Sequence, residues 1–333
     1  MYQFIVILRA IACILITNSH QENIYPIRIL ASGGLLGDVI YFAISGYCLY
    51  SIAQQSFGRW YFKRLKRVYP PVWITAGTLI LTGVYGAVSA KRVLSLMFYP
   101  THYHFVASIL VLYIFFFFLM KFINQKPGEE EKRLKYVAIA LAVVYFVLFY
   151  TVYDRSYYHI DNVNSKMIWP LYFYAMMIGL WFRRHVDEYL GKGGFLPWVL
   201  TFVFAVIYFG TKVTLSRDIL PASIQWINQL VLLVLLVGIF RCFIGFEDTI
   251  KKLPSSVTAP FRFIADMAFE LYLTQAVIIP TFNTGKETFP YNLLVTISIT
   301  FLFAWLVHIA TNIILQLSGL LYQKIRKKDA VLQ

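Results

Sequence analysis

The sequence predicts an all-α, polytopic transmembrane helix bundle of about ten helices with both termini cytoplasmic. Three observations carry this. First, 59% of the 333 residues are hydrophobic and only 14% are charged, against roughly 45–50% and ~25% in a soluble domain. Aromatic residues alone reach 18%, and the mean hydropathy is +0.65. One soluble core cannot hide that excess under so little polar cover, which excludes a soluble enzyme and a disordered chain. Second, the apolar residues come in solid runs of the ~20 residues that a spanning helix needs, without the period-two alternation of barrel strands. Third, the basic residues favour alternate loops.

Taken in order, the runs lie near 2–20, 38–56, 68–88, 103–123, 136–153, 166–182, 197–214, 223–243, 262–282 and 291–321. No basic residue precedes Arg9, which falls inside the first run, so this segment does not read as a signal peptide. The tenth run exceeds one bilayer thickness and implies tilt or an interfacial end. With the N-terminus placed inside, the inner loops hold 21 basic residues, among them Arg59, Lys63, Arg64, Lys66, Arg67, Arg183, Arg184 and Lys251. The outer side holds eight, from Arg28 to Lys286. Retention of Lys and Arg in cytoplasmic loops explains this split and the net charge of +14, so nucleic acid is not an expected partner. Residues 126–135 (KPGEEEKRLK) read as a solvated inner loop. Cys13, Cys48 and Cys242 lie in apolar stretches without metal-ligand spacing, so neither a disulfide framework nor a metal site is expected. The spans consume most of residues 1–333, which leaves one transmembrane domain and no separate soluble one.

Ionisable residues inside spans are expensive, by roughly 2.5–3.5 kcal/mol on insertion scales, and so mark candidate sites. Arg9 lies in the first run and His20 follows in LRAIACILITNSH. On an ideal helix they are only ~20° apart around the axis and ~16 Å apart along it. One face then carries a cation deep in the membrane and an imidazole near the outer end; pairing of Arg9 with a buried carboxylate such as Glu270 is the plainer alternative. The segment YFAISGYCLYS places Ser45, Gly46 and Tyr47 within the second run, where small residues also serve close helix packing. In RWYFKRLKRVYPP, Arg64 and Arg67 share a face at i,i+3. They read either as positive-inside anchors or as a phosphate clamp, since guanidinium forks suit phosphate oxygens.

Together these elements resemble the acyltransferase-3 family, integral membrane enzymes that O-acylate cell-envelope glycans. The resemblance continues in IWPLYFYAMMIGLWF (168–182) and FIADMAFELYLTQAVIIP (263–280), with the principal motifs in 8–71 and 263–280. One departure stands out: Gln275 falls where the family commonly carries a histidine, and Ala268 near its usual serine. Any role of that late histidine therefore does not transfer, and His20 is left as the principal candidate base.

The resemblance implies an acyl-CoA donor, acetyl-CoA by preference, used as a co-substrate with no bound cofactor. Arg64 and Arg67 would hold its phosphates, Ser45, Gly46 and Tyr47 would also bind the donor, and a Ser45 or Tyr47 hydroxyl is the alternative to Arg9 for stabilising the oxyanion. Arg9 would meet the donor's arm or the thioester carbonyl. His20 would either deprotonate a sugar hydroxyl or take the acyl group itself; an imidazole with an unperturbed pKa near ~6.5 suits the first role. Glu270 would orient His20 or pair with Arg9. His102, His104, Tyr272 and Asp38 are the candidates for binding the acceptor, a cell-surface or lipid-linked glycan. The expected location is the cytoplasmic (inner) membrane, among its lipids. A transporter of lipid-linked glycan that makes no covalent change is the competing expectation.

Overall fold

The computed structural model describes residues 2–50, 55–86, 88–100, 103–153, 155–157, 160, 166–282 and 285–331, with side chains described as far as Ser318. Its α-helices run, in order, α1 Gln3–Ser19, α2 Gly34–Cys48, α3 Phe57–Leu81, α4 Ala90–Phe98 and α5 His104–Ile123. Then follow α6 Glu130–Thr151, α7 Trp169–Arg184, α8 Val186–Tyr189, α9 Phe195–Ser216 and α10 Gln225–Gly245. The last are α11 Glu247–Lys251, α12 Ser255–Asp266, α13 Ala268–Phe282 and α14 Tyr291–Val331. No strand occurs among the described residues.

Among the described residues, six segments are long and apolar enough to cross a membrane: Arg28–Cys48, α5, α6, α9, Ala222–Gly245 and Tyr291–Ser318. The α12–α13 pair, bent by 65°, makes a seventh if it forms one broken span. The protein is thus an all-helical, multi-pass membrane protein. The first expected span is a helix of 17 residues, shorter than a bilayer needs.

Several boundaries differ from the sequence reading for definite reasons. Helix α3 begins at Phe57, so the R-x-x-R segment is helical rather than loop. Trp60, Val68, Val72, Ala76 and Leu79 are all buried, and their spacing makes one helical face that continues through Pro70 and Pro71. Helix α4 was not expected. Its Ser89 cap accepts from the Arg92 amide at 3.3 Å, satisfying one of the free donors of its first turn. Helix α6 starts inside the expected inner loop, with Glu130 and Glu131 in its first turn where acidic charge complements the helix dipole.

The chain divides into two compact units. The first comprises residues Met1–Ile16, Ser32–Trp60 and Ser108–Ala265. Its tightest packing is α2 against α7. A Cβ on Gly46 would collide with the Met176 carbonyl, and one on Gly179 with the Ala43 carbonyl. The two backbones therefore touch in both directions, as small residues allow in membranes. Phe42 stacks on Tyr172 with centroids 4.2 Å apart. Helices α9 and α10 are joined by Asn228, whose Nδ2 donates to the Tyr208 carbonyl at 2.9 Å and to Thr211 Oγ1 at 2.6 Å. Glu247 is fully buried and caps α1: the amides of Gln3 and Phe4 donate to its two carboxylate oxygens at 2.9 and 2.8 Å.

The second unit comprises Thr17–Ala31, Tyr61–Ala107 and Asp266–Gln333. Within it α3 and α4 are tied by Tyr69, whose hydroxyl donates to the Phe98 carbonyl, and by Trp73, whose Nε1 donates to the Met97 carbonyl at 2.9 Å. Helices α13 and α14 pack along one another.

Candidate active site

The chemistry-bearing residues of the second unit gather around the end of α1, the start of α5 and the α13–α14 pair. Helix α1 gives way to a turn at His20, whose amide donates to the Thr17 carbonyl at 3.3 Å. The segment beyond is fastened by Asn18, whose Nδ2 donates to the Leu30 carbonyl at 2.7 Å and whose Oδ1 accepts from Tyr25 at 2.8 Å. This leaves the His20 side chain exposed. His104, at the first position of α5, is half-buried and close enough to His20 for their charges to interact. Tyr272 braces the same helix start. Its hydroxyl accepts from the Phe105 amide at 3.1 Å, one of the donors that a helix N-terminus leaves open, and its ring lies 5.1 Å from that of Phe105. His102 lies outside the described residues.

Gln275 occupies the position where a histidine was expected. It is buried, and its Oε1 accepts from Thr17 Oγ1 at 2.6 Å. This bond ties α13 to the last turn of α1, three residues before His20. The next residue, Gln21, is also buried and accepts from Thr296 of α14 at 3.4 Å. Both sides of His20 in sequence are thereby anchored to the late helices.

Glu270 is buried and pairs with His308 of α14, Oε1 to Nδ1, at 3.1 Å. Asn312, one turn further along α14, lies 2.9 Å from the other ring nitrogen, Nε2. With Asn312 donating to Nε2, the ring proton resides on Nδ1 and is donated to the carboxylate. The sequence reading gave His308 no role. The signal was present in the i,i+4 spacing of His308 and Asn312 within an apolar helix, but nothing local named Glu270, 38 residues away, as the partner.

The remaining site residues fall elsewhere. Arg64 and Arg67 lie on α3 in the second unit, half-buried and exposed respectively. Arg9 belongs to the first unit, half-buried on α1 and close enough to Tyr41 for its charge to act there. Asp38, expected to meet the acceptor, is buried instead and accepts from Tyr172 at 2.9 Å across the α2–α7 contact. Ser45 is half-buried, and Gly46 is committed to that same contact. Tyr47 packs edge-on to Phe4 at 5.5 Å and faces a cavity of about 530 Å³ lined also by Tyr2, Cys48, Tyr50, Arg183, Glu247 and Lys251.

The second unit thus holds a solvent-reachable imidazole, a second one within charge range, a buried carboxylate paired with a half-buried imidazole, and hydroxyl groups. That inventory suits general acid–base chemistry on a hydroxyl nucleophile. No curated protein and no solved structure matches the chain. A family model described as an acyltransferase domain matches residues 2–310, nearly the whole length, and the chain therefore belongs to the acyltransferase-3 family and is an acyltransferase.

Proposed function

We propose that this protein moves an acyl group, acetyl by preference, from cytoplasmic acyl-CoA to a hydroxyl of a cell-surface or lipid-linked glycan, with His20 as general base. The observation that carries the reading is the exposed His20, fixed on one side by Thr17–Gln275 and on the other by Gln21–Thr296, in a chain whose family is defined by acyl transfer. A neutral His20 takes the proton of the attacking hydroxyl as its oxygen bonds to the thioester carbon. The carbon–sulfur bond then breaks, and the imidazolium returns the proton to the departing thiolate. Arg9, or the hydroxyls of Ser45 and Tyr47, is assigned to the carbonyl oxygen as it gains charge. Arg64 and Arg67 are assigned to the donor's phosphates. His104 and Tyr272 are assigned to the acceptor, and His102 keeps that assignment from its spacing alone. Asp38 keeps its acceptor assignment from the sequence alone, its Oδ2 accepting from Tyr172 across the α2–α7 contact.

The inner-membrane, ten-helix topology with both ends cytoplasmic remains part of this proposal. It is supported by the 21-to-8 distribution of basic residues. It is supported again by the cavity beside Tyr47: Tyr2, Cys48, Tyr50, Arg183 and Lys251 come from separate segments that charge counting assigns to the inner side, and they line one space. Transport without covalent change is set aside by the family match.

The test uses purified protein, acetyl-CoA and envelope glycan, with free CoA thiol as the readout. Glycan-dependent thiol release is expected from the wild type and should fall by about 10²–10⁴-fold in His20→Ala. An exposed position such as Ile14→Ala should leave it unchanged. Release at the wild-type rate from a well-folded His20→Ala protein would remove the general-base assignment.

A further inference from the structure

We propose that the cavity at the ends of α1, α2 and α7, beside α11, is a binding site for the phosphate-bearing nucleotide end of the donor, with Arg183 as its anion clamp. This rests on the reading of the donor as acyl-CoA. It assigns to the donor a cation outside the R-x-x-R segment.

Arg184 is paired with Glu131 at 3.3 Å and with Glu130 at 3.7 Å. Lys251 is paired with Asp248 at 3.6 Å and Glu247 at 3.7 Å. Glu247 is itself taken up by the Gln3 and Phe4 amides. Arg183, by contrast, has no carboxylate within ion-pair distance among the described residues. Its guanidinium lies over the rings of Tyr47 and Tyr50, 5.5 and 5.7 Å from their centroids. The guanidinium also lies within hydrogen-bond reach of the hydroxyls of Tyr47 and Tyr2; these contacts hold it in place and use part of its five N–H donors, leaving the others for a ligand. A planar fork held in this way presents paired donors to a phosphate.

The space itself fits. About 530 Å³ lies within the ~300–1,000 Å³ usual for small-ligand sites. Its walls include Tyr2, Tyr47 and Tyr50, and aromatic faces stack with nucleobases at roughly 1–3 kcal/mol per base. Tyr47 is held edge-on by Phe4 and Tyr2, at 5.5 and 6.3 Å, so that wall is preformed. A cation that meets no carboxylate among the described residues, beside aromatic planes, matches a purine nucleotide carrying phosphates better than it matches a neutral sugar or an acyl chain.

The site carries its own reporter. Cys48 is exposed and lines the cavity, whereas Cys13 and Cys242 are buried. The experiment measures maleimide labelling of Cys48 in the purified full-length protein against increasing adenosine 3′,5′-bisphosphate, the thiol-free nucleotide end of CoA. The wild type should be protected. In Arg183→Gln the half-protecting concentration should rise by at least about tenfold, the lower end expected for a lost charge-assisted bond, and Arg183→Lys should fall between the two. Tyr50→Leu, at an exposed position, should raise it about fivefold or more through lost stacking. Arg184→Gln should match the wild type.

Equal protection of wild type and Arg183→Gln overturns the inference, and so does an equal loss in Arg184→Gln. Acyl-CoA turnover with no protection of the wild type overturns it while leaving the donor reading intact. If the wild type neither turns over acyl-CoA nor is protected, the donor reading falls and the nucleotide site with it.

Discussion

Buried Glu270 and half-buried His308 form a pair within the second unit, and their chemistry sets what each substitution does. Replacing His308 by Ala leaves a buried carboxyl without its ring partner, which costs about 1–3 kcal/mol when a buried group loses its bond. His308→Ala should therefore unfold at lower temperature. Asn312→Ala should shift the melting temperature much less, because Asn312 is exposed and reaches only the outer ring nitrogen. Equal melting temperatures for wild type and His308→Ala would show that the pair contributes nothing to the unit. Gln275 illustrates the same point from the opposite direction. A residue identified only as a departure from the family pattern turns out to hold the turn that bears His20, through a single hydrogen bond to Thr17.

At the scale of helices, α2 and α7 are fitted through two glycines that face opposite backbones. Gly46→Ala places a methyl group against the Met176 carbonyl, and backbone atoms cannot move aside as a side-chain tip can. The cost should reach or exceed the ~1–3 kcal/mol usual for overpacking, with lower yield and melting temperature. Gly58→Ala, where the added atom meets nothing, should be tolerated; equal yields for the two variants would contradict the packing described. The apolar runs made most of these helices legible in the sequence, because a twenty-residue apolar stretch has few other uses. What was hidden depended on partners distant in the chain. The basic start of α3 is helical because Trp60 and Val68 bury one face, and the late span is broken at Met267 where the sequence shows an uninterrupted run. Nothing local reveals that Asp38 accepts from Tyr172, 134 residues later. The R-x-x-R pair was visible by spacing alone. Replacing both Arg64 and Arg67 by Gln should raise the KM for acyl-CoA while changing kcat little, the pattern of lost uniform binding. An unchanged KM would return them to the role of charge anchors.

For the whole molecule, the family match covers residues 2–310, and the apolar helices place the chain in a membrane. An acyltransferase built this way has a reason to span the bilayer if its donor and its acceptor are on opposite sides. The decisive measurement is mass spectrometry of the envelope glycan from cells making the wild-type protein, from the same cells making an equal amount of His20→Ala, and from cells lacking the protein. An added acyl mass on the glycan in the first and its absence from the other two is the predicted result. Glycan of identical mass in all three, with the wild-type protein present in the membrane, would contradict acyl transfer to a glycan by this chain.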